Sequence, residues 1–377
     1  MQQPFYTDYN NQTPPSYGQE HYPNQRFIPN GAPVQGFCTY SPQQYTFVPG
    51  IGFVRRSPED EERRQIAATS RKLAAAMLTC LVLLYLTQPA ATFFATRISG
   101  LLPFRVSLEA IGLLSTIMSY LAAFIFPFVI YQARVGIPAK AAYPLRRPRV
   151  WLVVCATLIL LGICTIASFS SDVLDALLQS VGLYASQSNA ALPSDTFGIV
   201  LYIVLYVVLS PLVEELLFRG LIMQSLRRFG DGVALLCSSL LFALVHPNIL
   251  MLPYAFLTGL VIGYFVLRSG SVVTGIVMHL ANNLLLTIYH AAAKGLTPTW
   301  SNIVMQGIFI VFIVAALFAV KFAVRRDENI FSLAPARMAL SFKGRIRALC
   351  GSGVMVVYFL VTAWFIISSI RTVFRPW

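Results

Sequence analysis

The chain has 377 residues, of which 56% are hydrophobic and only 11% charged, and its formal net charge is +13. Soluble domains carry about 25% charged residues, so the composition excludes an ordinary soluble domain and indicates a polytopic membrane protein. The positive charge does not indicate nucleic-acid binding, because the basic residues cluster between apolar runs and no folded basic domain is visible.

The first part of the chain is polar. Residues 1–52 are rich in Gln, Asn, Tyr and Pro, which predicts a disordered cytoplasmic tail. No cleavable signal peptide is expected, because the chain begins without an apolar stretch. Residues 53–72 are a charged juxtamembrane segment, which we interpret as a solvated flank that orients the first span, with a short surface helix as the alternative.

Nine apolar runs follow, and most approach the roughly 20 residues that a helix needs to cross a bilayer. They predict an all-α fold, a polytopic membrane helix bundle of about eight to nine spans. The fifth and sixth runs are expected to form a tight helical hairpin with its turn near Pro247 to Pro253. The runs cover residues 73–95, 108–131, 150–170, 197–218, 232–252, 253–267, 271–290, 302–322 and 349–370.

Basic and non-basic connections alternate along the chain, a pattern that sets membrane orientation. Basic residues occur in the segment before the first span and in the second, fourth, sixth and eighth connections. The third connection has no Lys or Arg and carries Asp172, Asp175 and Asp195. The pattern predicts a multi-pass protein of the plasma membrane with its N-terminus inside and, after nine spans, its C-terminus outside. Apolar residues at helical spacing in 172–184 predict an amphipathic helix on the outer face.

Two adjacent carboxylates and an arginine stand at the end of the fourth apolar run, where ionisable groups are costly and usually functional. Glu215 and Arg219 are four residues apart, so they share a helix face and are expected to pair. Glu214 is rotated by about 100° from Glu215 and can face a different neighbour. The pattern predicts one carboxylate held by Arg219 and a second that is available to act.

Two of the four histidines lie inside apolar runs, each with a partner four residues away. Phe242 shares a helix face with His246, and His279 shares one with Asn283. Structural interpretations stand beside the functional ones, because an intramembrane histidine or asparagine can serve only to hold helices together. Phe242 can be a packing residue, and the pair formed with Arg219 can be structural as well.

If the three helices pack together, a carboxylate, two imidazoles and an amide meet in a low-dielectric site. A Glu–His pair can take a proton from water, and an imidazole with an amide can stabilise the oxyanion formed at a peptide carbonyl. Alternatively, Glu214, His246 and His279 can bind zinc with water in the fourth position.

The predicted depths of these residues do not agree. Glu214 is placed near the inner end of its span, whereas His246 falls about 14 residues into the next one, roughly 21 Å along an ideal helix. A site can form only if the fifth span is tilted or begins later, or if the fourth span lies deeper.

Three short motifs occur in order on the predicted spans. They are EExxxR at Glu214, Glu215 and Arg219, FxxxH at Phe242 and His246, and HxxxN at His279 and Asn283. Together they resemble the CPBP intramembrane protease family, which includes the type II CAAX prenyl proteases and the bacterial bacteriocin-processing and immunity proteins. The resemblance covers roughly residues 197–290, and every expected motif position is filled.

The resemblance implies a mostly helical intramembrane endopeptidase with a cavity that opens to the cytoplasmic side. It implies that Glu214 and His246 activate the water and that His279 and Asn283 form the oxyanion hole. The neighbouring ion pair of Arg219 would orient the site.

A zinc ion is a candidate cofactor, because members of this family are often called metalloproteases. The ligands implied are Glu214, His246 and His279. The sequence does not decide the question, since the HExxH pattern of helix-borne zinc sites is absent.

The expected function is therefore hydrolysis of a peptide bond in a CAAX-like or leader-like peptide or protein, by an enzyme seated in a lipid bilayer. A non-catalytic immunity or scaffold protein with the same fold is a second hypothesis. A small transporter is a third, although no inverted repeat is evident.

The sequence divides the chain into five parts. They are a tail (1–52), a juxtamembrane segment (53–72), N-terminal spans with the outer amphipathic helix (73–196), a catalytic core (197–290), and C-terminal spans with a basic inner loop (291–377).

Overall fold

The protein, seen in a computed structural model, is an all-α membrane helix bundle, as the sequence predicts. The structure describes residues 45–48, 52–55, 57–185 and 192–372. Within these ranges lie twelve helices and two pairs of short strands. The helices, numbered α1 to α12 in chain order, are Pro58–Leu86, Gln88–Ser99, Leu108–Val135, Ala139–Ala142, Val150–Ser180, Thr196–Phe229, Asp231–Leu244, Met251–Ser269, Val272–Ala293, Pro298–Arg326, Phe342–Cys350 and Gly353–Ser368.

Among the described residues, seven helices are long and apolar enough to cross a membrane: α1, α3, α5, α6, α8, α9 and α10. An eighth crossing results if α11 and α12, which are bent by 73°, count as one span. This number roughly agrees with the predicted eight to nine. The main difference is the fifth predicted span, residues 232–252, because α7 has only 14 residues and ends in a turn before α8. The predicted hairpin is therefore present, with Pro253 in the first turn of α8, where proline is tolerated.

The segment before the first span is helical from Pro58 onward, and most of its charged residues, such as Arg63 and Arg64, are exposed. Ser57 caps α1 by accepting a hydrogen bond from the backbone N–H of Asp60, and α1 then runs unbroken into the membrane-spanning part. The Glu62 carboxylate accepts hydrogen bonds from the backbone N–H groups of Ala339 and Leu340, both at 2.8 Å. The charged turns of α1 thus hold the connection between α10 and α11.

Most of the predicted tail lies outside the described residues. Its described part is a strand, β1 (Tyr45–Val48), together with Gly52, the first residue of β2 (Gly52–Arg55). The two strands pair antiparallel. Aromatic and β-branched residues, which favour strands, account for this pairing.

The outer amphipathic segment is not a separate helix. Residues 172–180 are the last turns of α5, which is 31 residues long. After α5, strand β3 (Leu183–Ala185) pairs antiparallel with β4 (Ile370–Thr372), which follows α12. This pairing joins the end of α5 to the last described residues of the chain.

The connections between helices meet at two separate ends of the bundle. Those predicted to lie inside are joined to each other, as in the 2.7 Å hydrogen bond from Lys72 Nζ to the carbonyl of Arg134. Further links at this basic end are Arg228–Thr69, Arg345–Phe229, Ser271–Arg146 and Arg268–Ser332. The links at the opposite end are Ser107–Asp195, Ser194–Glu109 and Lys294–Leu192. The alternation of charge along the sequence thus corresponds to two physical ends of the fold.

Helix α6 departs from regular α-helical geometry on both sides of the two adjacent glutamates. Its segments Ile203–Leu209 and Leu216–Ile222 are π-helical. Pro211 has no backbone N–H to give to the preceding turn, and the N–H of Ser210 donates to Leu205, five residues back. Such π-helical turns occur frequently at functional sites.

Candidate active site

Glu214 lies in the middle of α6 and not near the end of a span, so that prediction was wrong. Helix α6 continues 15 residues past Glu214, to Phe229, and α7 then turns back. His246 follows Asp231, the first residue of α7, by the same 15 residues. The expected mismatch in depth therefore disappears, because the fourth span reaches further than its apolar run suggested.

Glu215, Arg219 and His279 form a buried ion cluster. Arg219 Nη1 and His279 Nδ1 each lie 2.9 Å from Glu215 Oε1. Both Glu215 and Arg219 have 0% of their surface exposed. Arg219 also donates through Nη2 to the carbonyl of Gly259 (3.3 Å), and its guanidinium lies 4.2 Å from the centroid of the Phe242 ring. The pairing of Glu215 with Arg219 predicted from their spacing is confirmed.

Glu214 presents its two carboxylate oxygens to different surroundings. Oε1 accepts hydrogen bonds from Tyr120 Oη (3.0 Å) and from Ser210 Oγ (2.5 Å). Oε2 faces His279 Nε2 at 3.9 Å, which is too long for a direct hydrogen bond and is a spacing at which a bridging water is expected. One oxygen is thus held by the protein, and the other faces an imidazole across a water-sized gap.

The Phe242 ring lies between the two histidines. Its centroid is 5.2 Å from that of His246 and 5.8 Å from that of His279, in both cases edge to face. His246 Nδ1 lies 3.0 Å from the carbonyl oxygen of Phe242. Because a carbonyl oxygen only accepts, Nδ1 carries the proton, and Nε2 of a neutral His246 is an acceptor.

Asn283 makes a hydrogen bond between helices. Its Nδ2 donates to the carbonyl of Tyr206 at 2.9 Å. In the π-helical register of α6 the backbone donor to this carbonyl would be residue 211, which is proline and has no N–H. The amide of Asn283 therefore satisfies a carbonyl that Pro211 leaves without a helical donor, which gives Asn283 a structural role whatever else it does.

The three residues proposed as zinc ligands do not form a ligand set in this structure. Among the described residues, no group of three or more His, Cys, Asp or Glu side chains is placed to hold a metal ion. His279 Nδ1 faces Glu215, and His246 Nδ1 faces a backbone carbonyl. Glu214, His246 and His279 therefore do not fit zinc as they stand.

Several residues of the site were not identified from the sequence. Ser210 precedes Glu214 by four residues, so its position on the same face of α6 was available as a signal. Tyr120 was not, because it lies 94 residues away in a different span. A short polar chain beside Asn283 was also missed: Tyr254 Oη donates to Asn282 Oδ1 (3.0 Å), and Asn282 Nδ2 donates to Asn283 Oδ1 (3.2 Å).

Residues 196–285 match a family model described as Type II CAAX prenyl endopeptidase Rce1-like. The matched segment contains every residue of the three motifs and all of α6 to α8, and it leaves out α3 with Tyr120. Searches of curated proteins and of solved structures gave no match.

Proposed function

Because residues 196–285 belong to the CPBP intramembrane protease family, we propose that the protein is an intramembrane endopeptidase in which Glu214 activates a water molecule. The observation that carries the proposal is the 3.9 Å gap between Glu214 Oε2 and His279 Nε2. The other oxygen of Glu214 already accepts two hydrogen bonds. Oε2 is therefore the oxygen that remains to take a proton from a bound water.

His246 would assist as a second acceptor. With Nδ1 donating to the Phe242 carbonyl, its Nε2 has a free lone pair when the ring is neutral. A water held by Glu214 Oε2 and His246 Nε2 would direct a lone pair of its oxygen at the substrate carbonyl. This keeps the roles that the family resemblance implies for these two residues.

His279 and Asn283 would stabilise the oxyanion. An imidazolium at His279 would donate Nδ1–H to Glu215 and leave Nε2–H for the oxyanion. With Arg219 it would also balance the charges of the two buried carboxylates, Glu214 and Glu215. Asn283 uses one amide N–H for the carbonyl of Tyr206, and its second N–H would serve the oxyanion.

Hydrolysis of the peptide bond needs no reactant other than the substrate and the bound water. The water oxygen forms a bond to the carbonyl carbon while its proton moves to Glu214, giving a tetrahedral oxyanion. Collapse of this intermediate breaks the C–N bond, and Glu214 returns the proton to the leaving amine. The products are a carboxylic acid and an amine, which become a carboxylate and an ammonium group when the acid proton passes to the amine, and Glu214 is ionised again.

The substrate class we propose is a peptide or protein that enters from the membrane, either CAAX-like or leader-like. The family supports a proteinaceous substrate, and the apolar helices support a location within a lipid bilayer. We place the basic end of the bundle and the opening of the site on the cytoplasmic side of the plasma membrane, because Lys and Arg favour that side.

The test uses the purified full chain in lipid nanodiscs, incubated with prenylated CAAX peptides, unprenylated CAAX peptides and leader-like peptides, and followed by mass spectrometry. Cleavage by the wild type should be lost with Glu214→Gln and with His279→Ala, and it should persist with Glu328→Gln, which changes an exposed carboxylate of the same type. Binding of a peptide without cleavage by the wild type would instead support the scaffold hypothesis. Proton or ion flux that needs Glu214, without hydrolysis, would support transport.

A further inference from the structure

A second polar site lies at the basic end of the bundle, away from the glutamates. It is a cavity of about 60 Å³ between the connection that leads into α5, the end of α8 and the residues that follow α10. That volume accommodates several water-sized groups. Its lining includes Arg146, Arg147, Arg149, Arg268 and Trp151.

The charge of this cavity is strongly positive. Its lining holds four arginines against one carboxylate, Asp327, which is already paired with Arg268 at 2.7 Å. Among the described residues, no ion pair involves Arg146, Arg147 or Arg149. Arg146, Arg147 and Arg149 are exposed residues that line one small space, and within the described chain no carboxylate forms an ion pair with them.

The backbone around the cavity is fixed. The carbonyl of Arg146 accepts a hydrogen bond from Ser271 Oγ (2.5 Å), and that of Pro144 accepts one from the backbone N–H of Val272 (3.0 Å). On the opposite wall, Arg268 is held by Asp327 and by the carbonyl of Ser332. The arginines are thus presented by a preformed frame, which lowers the entropic cost of binding a ligand.

Two further features suit an anion that comes from the membrane. Arg149 occupies the N-cap of α5 without a capping side chain, so the positive end of the helix dipole faces the cavity. The Trp151 ring packs against Phe322 near the end of α10, and tryptophan is enriched at the level of lipid headgroups. A tryptophan at the end of an apolar helix is typical of the level of lipid headgroups, so phosphate groups of lipids are expected near this cavity.

We propose that this cavity binds the phosphate of an anionic phospholipid, with Arg146, Arg147 and Arg149 as its main contacts. Guanidinium groups match phosphate oxygens in bidentate geometry. Basic residues that only set the orientation of a protein in the membrane need not lie together. Arg146, Arg147 and Arg149 also line one cavity, which indicates a binding site. The inference does not depend on the protease function, because the site lies at the end of α8, nine residues past Gly259, which contacts the ion cluster.

The experiment is native mass spectrometry of the detergent-solubilised full chain, titrated with short-chain phosphatidylglycerol, with phosphatidylcholine of the same chain length, and with inorganic phosphate. Wild type should bind phosphatidylglycerol saturably and about tenfold more tightly than phosphatidylcholine. Combined Arg146→Gln, Arg147→Gln and Arg149→Gln should weaken this binding at least tenfold, because each basic residue near an anionic lipid surface adds to the attraction. Arg147→Gln alone should weaken the binding of phosphatidylglycerol severalfold. Because Arg147 is exposed, this variant keeps the test valid if the triple variant does not fold.

The matched control removes three positive charges from exposed residues of the basic end outside the cavity: Arg134→Gln, Lys140→Gln and Lys343→Gln. It should bind phosphatidylglycerol within about twofold of wild type. An equal loss in the control would overturn the proposal in favour of general surface charge. Equal affinity for phosphatidylcholine would overturn it as well, and inorganic phosphate binding as tightly as the lipid would show that the source is free phosphate.

Discussion

Tyr120 Oη donates a 3.0 Å hydrogen bond to Glu214 Oε1, although Tyr120 belongs to α3 and Glu214 to α6. Ser210 Oγ donates to the same oxygen. The two donors fix the carboxylate plane and direct Oε2 toward His279. One of the spans that precede the matched segment thus takes part in forming the site, and this contribution has a direct test.

Tyr120→Phe should lower kcat for peptide cleavage by about tenfold or more with little change in KM. It removes one of two hydrogen bonds to an ionised group, each worth about 1.5–3 kcal/mol, and leaves the ring that stacks on Phe124 in place. The measurement is steady-state cleavage in nanodiscs, with Tyr184→Phe, an exposed tyrosine of β3, as the control. Equal kcat in wild type and Tyr120→Phe would show that Ser210 alone positions the carboxylate.

The sequence predicts the helical fold and the pairing of Glu215 with Arg219 because both depend on local spacing. It places Glu214 near the end of a span and not in the middle of α6. The reason is that polar and basic residues follow Glu214, so the apolar run ends before the helix does, at Phe229. It cannot find Tyr120, because only the packing of α3 against α6 brings that hydroxyl to the carboxylate. Nor does it show that Asn283 compensates for a π-helical turn, which depends on the backbone register of another helix.

Gly275→Ala should impair both stability and activity. A Cβ at this position would lie 2.6 Å from Glu215 Oε2 and 2.8 Å from a methyl carbon of Val266, so the carboxylate would have to move. We expect a loss of about 1–3 kcal/mol in the free energy of unfolding, as for other overpacked cores, and a large loss of cleavage because Glu215 also holds His279.

Gly112→Ala is the matched control for this change, since it lies in a helix and has no neighbouring atom within 4 Å of the added carbon. It should be neutral or more stable by up to about 1 kcal/mol, because alanine favours helices over glycine. Thermal unfolding in detergent and cleavage assays measure both effects. Indistinguishable behaviour of the two variants would mean that α9 does not hold Glu215 in place.

Arg219→Met should destabilise the protein by about 3–5 kcal/mol, because it leaves a fully buried carboxylate without its main partner. Adding Glu215→Gln should recover much of this stability, since the uncompensated charge is then gone. Cleavage should stay low in the double variant, because the carboxylate that faces His279 Nδ1 is missing. Arg227→Met, which breaks a pair of the same spacing at the partly exposed end of α6, serves as control and should cost less. Recovery of full activity in the double variant would make the buried pair purely structural.

Removal of metal ions should leave cleavage unchanged. The structure offers no group of three ligands among its described residues, and both histidines direct Nδ1 at other partners. Dialysis against EDTA followed by elemental mass spectrometry and a cleavage assay measures this, with a zinc protease of the HExxH type as the positive control. Activity lost on dialysis and restored by zinc alone would instead assign zinc to Glu214, His246 and His279.

Asp195 should make stability depend on pH in the acid range. It caps α6 at the end opposite the basic one, where Ser107 Oγ donates to its Oδ2 (2.5 Å) and the backbone N–H of Gly198 to its Oδ1 (2.8 Å). These hydrogen bonds, that of Ser107 above all, lower the pKa of the Asp195 carboxyl below 3.8. A group whose pKa is lower in the folded state contributes stability above its unfolded pKa, and that contribution is lost as the pH falls through the folded value.

Wild type should therefore have a higher Tm than Asp195→Asn at about pH 5 and above, and the difference should shrink once the pH falls below about 4. Asparagine keeps one oxygen that can cap the helix, so the change removes the charge together with one of the two acceptors, and the pH dependence of the difference reports the charge. Thermal unfolding of both proteins across this range is the measurement, with Glu328→Gln as a control that should show no such trend. A Tm difference that stays constant down to about pH 2 would mean that the cap acts through its geometry and not through its ionised form.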